Sequence, residues 1–126
     1  MSETEAAIRR YFEVVGDLSS SEEDLRSCLA PDAQFRELPN PISPNGHLRD
    51  VEQTVVGFLT GKSTLSAQSI EIEEVLVDGP RAAVRSTWRG RIGETDFVAH
   101  MAGFLTVRGG LIASHDTFDC YEPFPR

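Results

Sequence analysis

The sequence has few basic residues, few cysteines and no long apolar run. Twelve lysine and arginine residues stand against 20 aspartate and glutamate residues, giving a formal net charge of -8. A chain with this charge repels both the phosphate backbone of nucleic acid and an anionic membrane surface. No apolar run approaches the roughly 20 residues that a membrane span requires. We therefore expect neither nucleic acid nor a membrane as a partner.

The chain also lacks the signs of export and of a metal site. Its first residues, Met-Ser-Glu-Thr-Glu, have neither the basic nor the apolar region of a signal peptide, so we expect a cytoplasmic protein. In that compartment Cys28 and Cys120 are expected to be buried free thiols rather than a disulfide. The three histidines, His47, His100 and His115, do not have metal-site spacing. No metal and no cofactor are therefore expected.

The length and the remaining composition are those of an ordinary globular domain. The chain has 126 residues, of which 40% are hydrophobic and 25% are charged. A chain of this length can bury roughly two-thirds of the surface that it exposes when unfolded. We expect residues 1–126 to form a single domain.

Helical periodicity predicts three helices in the first half of the chain. The first spans about residues 2–17 and carries Tyr11 on or near its apolar face. The second begins at the serines of residues 19–21 and ends near Ala30. The third covers about residues 48–60. The proline-rich segment 39–47 between them is either the rim of a pocket or a plain connection.

Alternation of apolar and polar residues predicts the strands. Residues 33–38 alternate, with Phe35 and Glu37 on one face. From Ser66 onward, turn residues at 78–80, 93–94 and 109–110 divide the chain into four consecutive strands. The pair Glu73 and Glu74 breaks the alternation of its strand, which indicates a bulge.

The two-residue turns also predict a register for the last three strands. Met101 falls opposite Ser86, and Asp116 falls opposite Gly103. The predicted apolar face consists of Val84, Ser86, Trp88, Ala99, Met101, Gly103, Leu105, Val107, Ile112, Ser114, Asp116 and Phe118. The predicted polar face consists of Arg85, Thr87, Arg89, Arg91, His100, Thr117 and Asp119. Asp116 is then a carboxylate on an apolar face, and it is either the floor of a cavity or a structural residue bonded to backbone donors.

These elements predict an α+β fold in which three N-terminal helices pack on a curved, mainly antiparallel sheet. The segments Ile-Arg-Arg-Tyr-Phe, Ala-Pro-Asp-Ala-Gln-Phe and Gly-Leu-Ile-Ala-Ser-His-Asp-Thr-Phe-Asp occur in this order along the chain. With them the chain resembles the SnoaL-like branch of the nuclear transport factor 2 superfamily. That superfamily includes ketosteroid isomerases, limonene epoxide hydrolases and polyketide cyclases. The resemblance implies a cone-like α+β barrel.

The resemblance also implies roles for individual residues. Tyr11 stands where ketosteroid isomerases keep an oxyanion-binding tyrosine, and Glu37 stands where they keep a carboxylate base. Gly103 replaces their protonated aspartic acid. Asp116 resembles the last-strand aspartate of the limonene epoxide hydrolases. Each of these residues also has a structural reading, in which Tyr11 is a core residue and Glu37 is a solvated rim residue.

The expected function is that of a SnoaL-like small-molecule pocket protein without a cofactor. Its chemistry would be that of an isomerase, cyclase or hydratase, with carboxylates moving protons on an apolar ligand that bears a carbonyl or hydroxyl group. The candidate catalytic residues are Asp116, Glu37 and Tyr11. The candidate ligand-binding residues are Trp88, Ser86, Met101, Gly103, Ser114, Phe118 and Phe35. The alternative is a non-catalytic ligand-binding or dimeric assembly domain, and the resemblance implies a homodimer formed through the outer sheet face.

Overall fold

A computed structural model of the protein describes residues 1–124. Its three helices, α1 (Glu3–Gly16), α2 (Glu22–Arg26) and α3 (Val51–Thr64), pack on one face of a six-stranded sheet. The strands are β1 (Leu29–Glu37), β2 (His47–Arg49), β3 (Leu65–Asp78), β4 (Arg81–Ile92), β5 (Thr95–Arg108) and β6 (Leu111–Tyr121). The spatial order is β2-β1-β6-β5-β4-β3. The predicted α+β arrangement of helices on a mainly antiparallel sheet is confirmed.

Side-chain caps set the helix starts. The Ser2 hydroxyl accepts a hydrogen bond from the Glu5 amide at the start of α1, and Ser21 and Asp50 form capping boxes at α2 and α3. The first helix agrees with its prediction to within one residue at each end. The second ends at Arg26 rather than near Ala30, because β1 already begins at Leu29.

The region of residues 47–50 differs from the prediction. Residues 47–49 pair with β1 as the short strand β2, so α3 starts at Val51 rather than at Leu48. Asp50 is extended and caps the helix, which fixes this boundary. As a result, the side chain of Arg49 belongs to the sheet.

The last four strands form the predicted meander. Gly79, Gly93, Gly109 and Gly110 have positive φ angles in the connecting turns. Met101 lies opposite Ser86, as predicted. The register of β3 against β4 shifts between Ile72 and Glu74, which confirms the predicted bulge.

The predicted register of β6 is wrong by one residue. Val107 pairs with Ile112 and Thr106 pairs with Ser114, so Ala113 is an extra residue in a bulge. Every later side chain of β6 is therefore on the face opposite to the predicted one. Asp116 lies opposite Phe104 instead of Gly103, and Asp119 lies opposite Met101 on the inner face.

The core lies between the helices and the inner face of the sheet. Ile8, Leu25, Leu105 and Ile112 are its largest fully buried side chains. Both cysteines are free, with Cys28 buried and Cys120 exposed, so only the first matches the expectation of a buried thiol. In residues 1–124, no helix has the length and apolar character needed to cross a membrane.

Candidate active site

A cavity of about 560 Å³ lies between the helices and the inner face of the sheet. Its aromatic and apolar lining includes Tyr11, Phe12, Phe35, Phe58, Trp88 and Met101. Its polar lining includes Glu37, His47, Arg49, Thr54, Gln68, His115, Thr117, Asp119 and Tyr121. Ile42 and Ser43, from the segment between β1 and β2, form part of the rim. A mostly apolar cavity with a few convergent polar groups is typical of a small-molecule site.

The last strand supplies four alternating polar side chains to this cavity. His115, Thr117, Asp119 and Tyr121 all line it, because they follow the Ala113 bulge at a spacing of two residues. Without the bulge, the same four side chains would face outward. The bulge therefore determines which carboxylate of β6 enters the cavity.

Asp119 is the carboxylate that enters. Its Oδ1 atom is buried, and no group in residues 1–124 donates a hydrogen bond to it. Burial, and then the charge of Glu37, raise the pKa of Asp119 to about 6. A second buried polar atom without a partner in this part of the chain, Thr54 Oγ1, belongs to another residue of the cavity wall. Buried polar atoms are normally hydrogen-bonded, so these two atoms mark a part of the cavity wall where an added donor would be stabilised.

Glu37 lies at the end of β1, and both of its oxygens have partners. The Asn40 amide donates to Oε1 at 2.7 Å, and His47 Nε2 lies 3.0 Å from Oε2. The Asn40 oxygen accepts from the backbone amides of Ile42 and Ser43, which ties this carboxylate to the rim segment. Glu37 is thus held in place beside Asp119 and contributes a negative charge there.

Tyr11 and His115 form a buried pair in the cavity wall. The Tyr11 hydroxyl is 2.9 Å from His115 Nδ1, and Thr117 Oγ1 is 3.3 Å from His115 Nε2. Burial lowers the pKa of His115 to about 4, so the imidazole is neutral at pH 7. Burial, and then the charge of Cys28, raise the pKa of Tyr11, so its phenol keeps its proton.

Gly103 provides the space for this pair. A Cβ atom at position 103 would lie 2.7 Å from His115 Nε2. A glycine on β5 therefore allows a buried imidazole to lie against the sheet. Where the resemblance implies the side chain of an aspartic acid, this chain has Gly103, and the ring of His115 fills the space beside it.

Trp88 forms another part of the wall and is held by hydrogen bonds. Its Nε1 donates to Gln68 Oε1 at 2.8 Å, and Gln68 Nε2 donates to the Val15 carbonyl at 3.0 Å. The Phe97 ring packs edge-on against Trp88 with a centroid distance of 4.6 Å. The indole is thereby fixed as a rigid apolar surface. In residues 1–124, no cluster of histidine, cysteine, aspartate and glutamate side chains is arranged to hold a metal ion.

Residues 8–115 match the family of SnoaL-like domains. The chain belongs to this family. Solved structures with the same fold have low sequence identity to this SnoaL-like domain. IdmH of Streptomyces antibioticus, a candidate polyketide cyclase, is 22% identical with a TM-score of 0.76, over 94% of this chain and 92% of that one. An LEH-like epoxide hydrolase of M. tuberculosis is 13% identical with a TM-score of 0.78, over 94% and 83%.

A third similar structure is a hypothetical protein of Catenulispora acidiphila with a ketosteroid isomerase-like fold, in complex with trimethylamine. It is 16% identical with a TM-score of 0.75, over 89% of this chain and 83% of that one. No curated protein sequence matches the chain significantly. At these identities the similarity establishes the fold of this SnoaL-like domain and leaves its chemistry to be argued from the cavity.

The structure brings together five of the ten predicted site residues of this SnoaL-like domain: Tyr11, Glu37, Phe35, Trp88 and Met101 line the cavity. The other five do not line it. Ser86 and Gly103 are buried in the sheet, on the same inner face. Asp116 and Ser114 line hollows on the opposite face, and Phe118 is exposed there. The one-residue error in the register of β6 explains the displacement of these last three.

Most of the polar cavity residues were not predicted from the sequence, among them Asp119, His115, Thr117, Tyr121 and Arg49. The first four share one cause, the unrecognised bulge at Ala113. The sequence gives no clear signal for it, since residues 111–113 are all apolar and residues 114–117 are all polar, so no alternation marks the register there. The predicted register places His100 and Asp119 on the same polar face, but only His100 faces outward, where it contacts Glu122 at 2.7 Å.

Proposed function

We propose that this SnoaL-like protein is a cofactor-free acid/base enzyme that acts on a small, mainly apolar ligand bearing a carbonyl group. Asp119 moves the proton, in place of Asp116. The observation that carries this proposal is the buried Asp119 Oδ1 atom, which receives no hydrogen bond within residues 1–124 and belongs to an apolar cavity. A desolvated carboxylate in a cavity is a typical proton-transfer group.

The raised pKa of Asp119, about 6, suits a general base at neutral pH. At pH 7 most of the molecules carry the ionised carboxylate, which is ready to accept a proton. It is also a stronger base than an aspartate with the ordinary pKa of 3.8. The proposed step transfers a proton from the carbon next to the ligand carbonyl to Asp119, while the C–H electron pair moves to the carbonyl oxygen.

Tyr11 is the proposed donor to that oxygen. When the neutral imidazole of His115 carries its proton on Nδ1, it donates to the Tyr11 oxygen, and the phenol proton is free for the ligand. Nε2 then accepts a hydrogen bond from Thr117. A positioned donor of this kind stabilises the enolate that forms in the proton transfer. If the ligand is a β,γ-unsaturated carbonyl compound, the enolate is conjugated, and return of the proton from Asp119 to the γ-carbon gives isomerisation. If the enolate carbon instead attacks a second carbonyl, a C–C bond forms, the proton passes from Asp119 to the resulting alkoxide, and the product is cyclic.

Glu37 has a different proposed role from that of a base. Each of its oxygens already has a partner, whereas Asp119 Oδ1 has none within residues 1–124, so Asp119 is the better candidate to take a ligand proton. The negative charge of Glu37 raises the pKa of Asp119. Glu37 therefore acts on the ligand through Asp119, with Asn40 and His47 holding it in position.

The experiment is hydrogen–deuterium exchange in D₂O with a panel of cycloalkyl and aryl ketones and 1,3-diketones, followed by NMR. The natural substrate need not be known, because any bound carbonyl compound whose α-proton is removed acquires deuterium from the solvent. We expect catalysed exchange with the wild type and a loss of about 100-fold or more in Asp119→Asn, the range of general-base contributions.

The matched control is Asp116→Asn, which makes the same chemical change three residues away, on the other face of β6. We expect its exchange rate to equal that of the wild type. Equal losses in both variants would contradict the assignment of Asp119. Binding of the panel compounds without exchange above the buffer rate would favour the non-catalytic ligand-binding alternative.

A further inference from the structure

Arg49 is a cationic side chain of the cavity wall that the proposed proton transfer does not use. It lies on β2 opposite Phe35 and is half-buried. Its side chain lines the same cavity as Asp119.

Arg49 has no ionic partner in the described part of the chain. The arginines Arg9, Arg26, Arg81, Arg85, Arg91 and Arg108 all form ion pairs with carboxylates. No aspartate or glutamate of residues 1–124 forms one with Arg49. Glu37, which lies two residues from Phe35 along β1, is paired with His47. A half-buried guanidinium without a carboxylate partner retains donors that suit a bidentate oxyanion.

The helix beside Arg49 is shaped to accept the guanidinium. A Cβ atom at Gly57 of α3 would lie 2.2 Å from Arg49 Nη1. A glycine in the interior of a helix is unfavourable relative to alanine, so it calls for a packing reason. The packing reason here is that the absent side chain leaves room for the Arg49 guanidinium against α3.

We propose that Arg49 binds a carboxylate group of the ligand, so that the natural ligand is an apolar carbonyl compound that is also a carboxylic acid. This inference rests on the proposed ligand cavity and specifies the class of its ligand. A monoanion fits better than a phosphate, since Glu37 and Asp119 line the same cavity and oppose a second negative charge. With a net charge of -8, the chain attracts an anion only where a local cation offsets that charge.

The test compares two probes of the same shape, 4-cyclohexylbutanoate and its uncharged amide. Trp88 is the one tryptophan of the sequence and lines the cavity, so its fluorescence reports occupancy. We expect the carboxylate to bind about tenfold or more tightly than the amide, because its hydrogen bonds to the Arg49 guanidinium join two charged groups and are therefore stronger.

Two variants test Arg49 independently. Arg49→Gln removes the charge and keeps most of the length. Gly57→Ala keeps the charge of Arg49 but displaces its guanidinium group. Because alanine has a higher helix propensity than glycine, we expect this variant to remain folded. In both, we expect the affinity for the carboxylate to fall about tenfold, with the affinity for the amide unchanged. The matched control is Arg89→Gln, an exposed arginine of β4, which should bind both probes as the wild type does.

The outcomes separate this inference from the proposed function. Equal binding of acid and amide by the wild type would overturn the anion site and leave the ligand cavity intact. Unchanged carboxylate affinity in Gly57→Ala, or in folded Arg49→Gln, would overturn it as well. If neither probe alters Trp88 fluorescence, the ligand cavity itself is contradicted, and the anion site with it.

Discussion

Asp119 and His115 are two ionisable residues on the same strand, and burial shifts their pKa values in opposite directions. Burial disfavours the charged form of each, which raises the pKa of the carboxyl group and lowers that of the imidazole. At pH 7 the cavity therefore contains an ionised carboxylate that readily takes a proton and an imidazole that remains neutral. This division of charge is the basis of the proposed proton transfer.

The first prediction concerns stability and pH. The native pKa of Asp119, about 6, exceeds its ordinary value of 3.8, so between these pH values the native state binds more protons than the unfolded state. The free energy of unfolding then falls as the pH rises through this window. Asp119→Asn should stabilise the protein by about 1–2 kcal/mol near pH 8, with allowance for solvent screening, and by less near pH 5.

Chemical denaturation of both proteins at the two pH values measures this difference. Comparison with the wild type at each pH isolates Asp119 from His115, whose lowered pKa reduces stability as the pH falls below 6.5. Asp116→Asn should change the free energy of unfolding by less than about 0.5 kcal/mol at either pH. A destabilised Asp119→Asn variant near pH 8 would show that this carboxylate supports the fold.

The second prediction concerns Gly103. A Cβ atom there would lie 2.7 Å from His115 Nε2, so Gly103→Ala displaces the imidazole from Tyr11. We expect a loss of about 1–3 kcal/mol in the free energy of unfolding, measured by urea denaturation, as for other overpacked sites. The control is Gly61→Ala in α3, where the nearest atom is 3.9 Å away and a gain of up to about 1 kcal/mol is expected. Equal effects of the two substitutions would contradict the close packing of His115.

Among the secondary-structure elements, β6 shows what the sequence could predict and what it could not. Hydrophobic spacing predicted α1, turn glycines predicted the meander of four strands, and the Glu73–Glu74 pair predicted the bulge of β3, because each of these features leaves a pattern in its own segment. The Ala113 bulge depends on how β5 and β6 pair, which is a non-local property. Because this one extra residue was not recognised, the predicted register put Asp116 on the inner face of the sheet and Asp119 on the outer face.

The remaining errors in the elements have the same origin. The strand β2 has three residues, and its pairing with β1 decides its conformation. Its short sequence resembles the start of a helix, so Arg49 was assigned to α3. Three predicted site residues lie on correctly predicted elements and line the cavity as expected: Tyr11, Glu37 and Trp88. A correct register did not suffice everywhere, since Ser86 and Gly103 lie on the predicted inner face and yet do not line the cavity.

The third prediction concerns the start of α3. The Asp50 carboxylate accepts a hydrogen bond from the Gln53 amide at 2.8 Å, and the Gln53 side chain accepts from the Asp50 amide at 3.0 Å. Asp50→Ala removes this cap and should cost about 1 kcal/mol of stability, measured by thermal denaturation. Because α3 carries Thr54 and Phe58 into the cavity, probe binding should weaken as well. Asp50→Asn is the control, since asparagine also caps helices, and it should retain both properties.

For the molecule as a whole, the outer face of the sheet is less polar than expected. Phe104 is 56% exposed and Phe118 is 44% exposed, and their rings pack edge to face at 5.8 Å. Leu76, in the same cross-strand row as Phe104, is 59% exposed. We propose that this face forms the interface of a homodimer, because a contiguous exposed apolar patch on a sheet is typical of an interaction surface.

The fourth prediction follows from this proposal. Size-exclusion chromatography with light scattering should give the molar mass of a dimer for the wild type. The double variant Phe104→Ser, Phe118→Ser should be folded and have the molar mass of a monomer. The control is Ile42→Ser, which removes a 60% exposed apolar side chain from the cavity rim and should leave the dimer intact. A wild type that is monomeric at high concentration would contradict the proposed interface.

If Asp119 is a cavity carboxylate prepared for proton transfer, its titration must differ from that of an exposed aspartate, and ¹³C NMR with labelled aspartate measures that titration. Spectra of Asp119→Asn assign the signal. We predict a midpoint near pH 6 that moves when 4-cyclohexylbutanamide fills the cavity, because the ligand further excludes water from the carboxylate. A midpoint near the ordinary value of 3.8 that does not respond to the ligand would contradict the account.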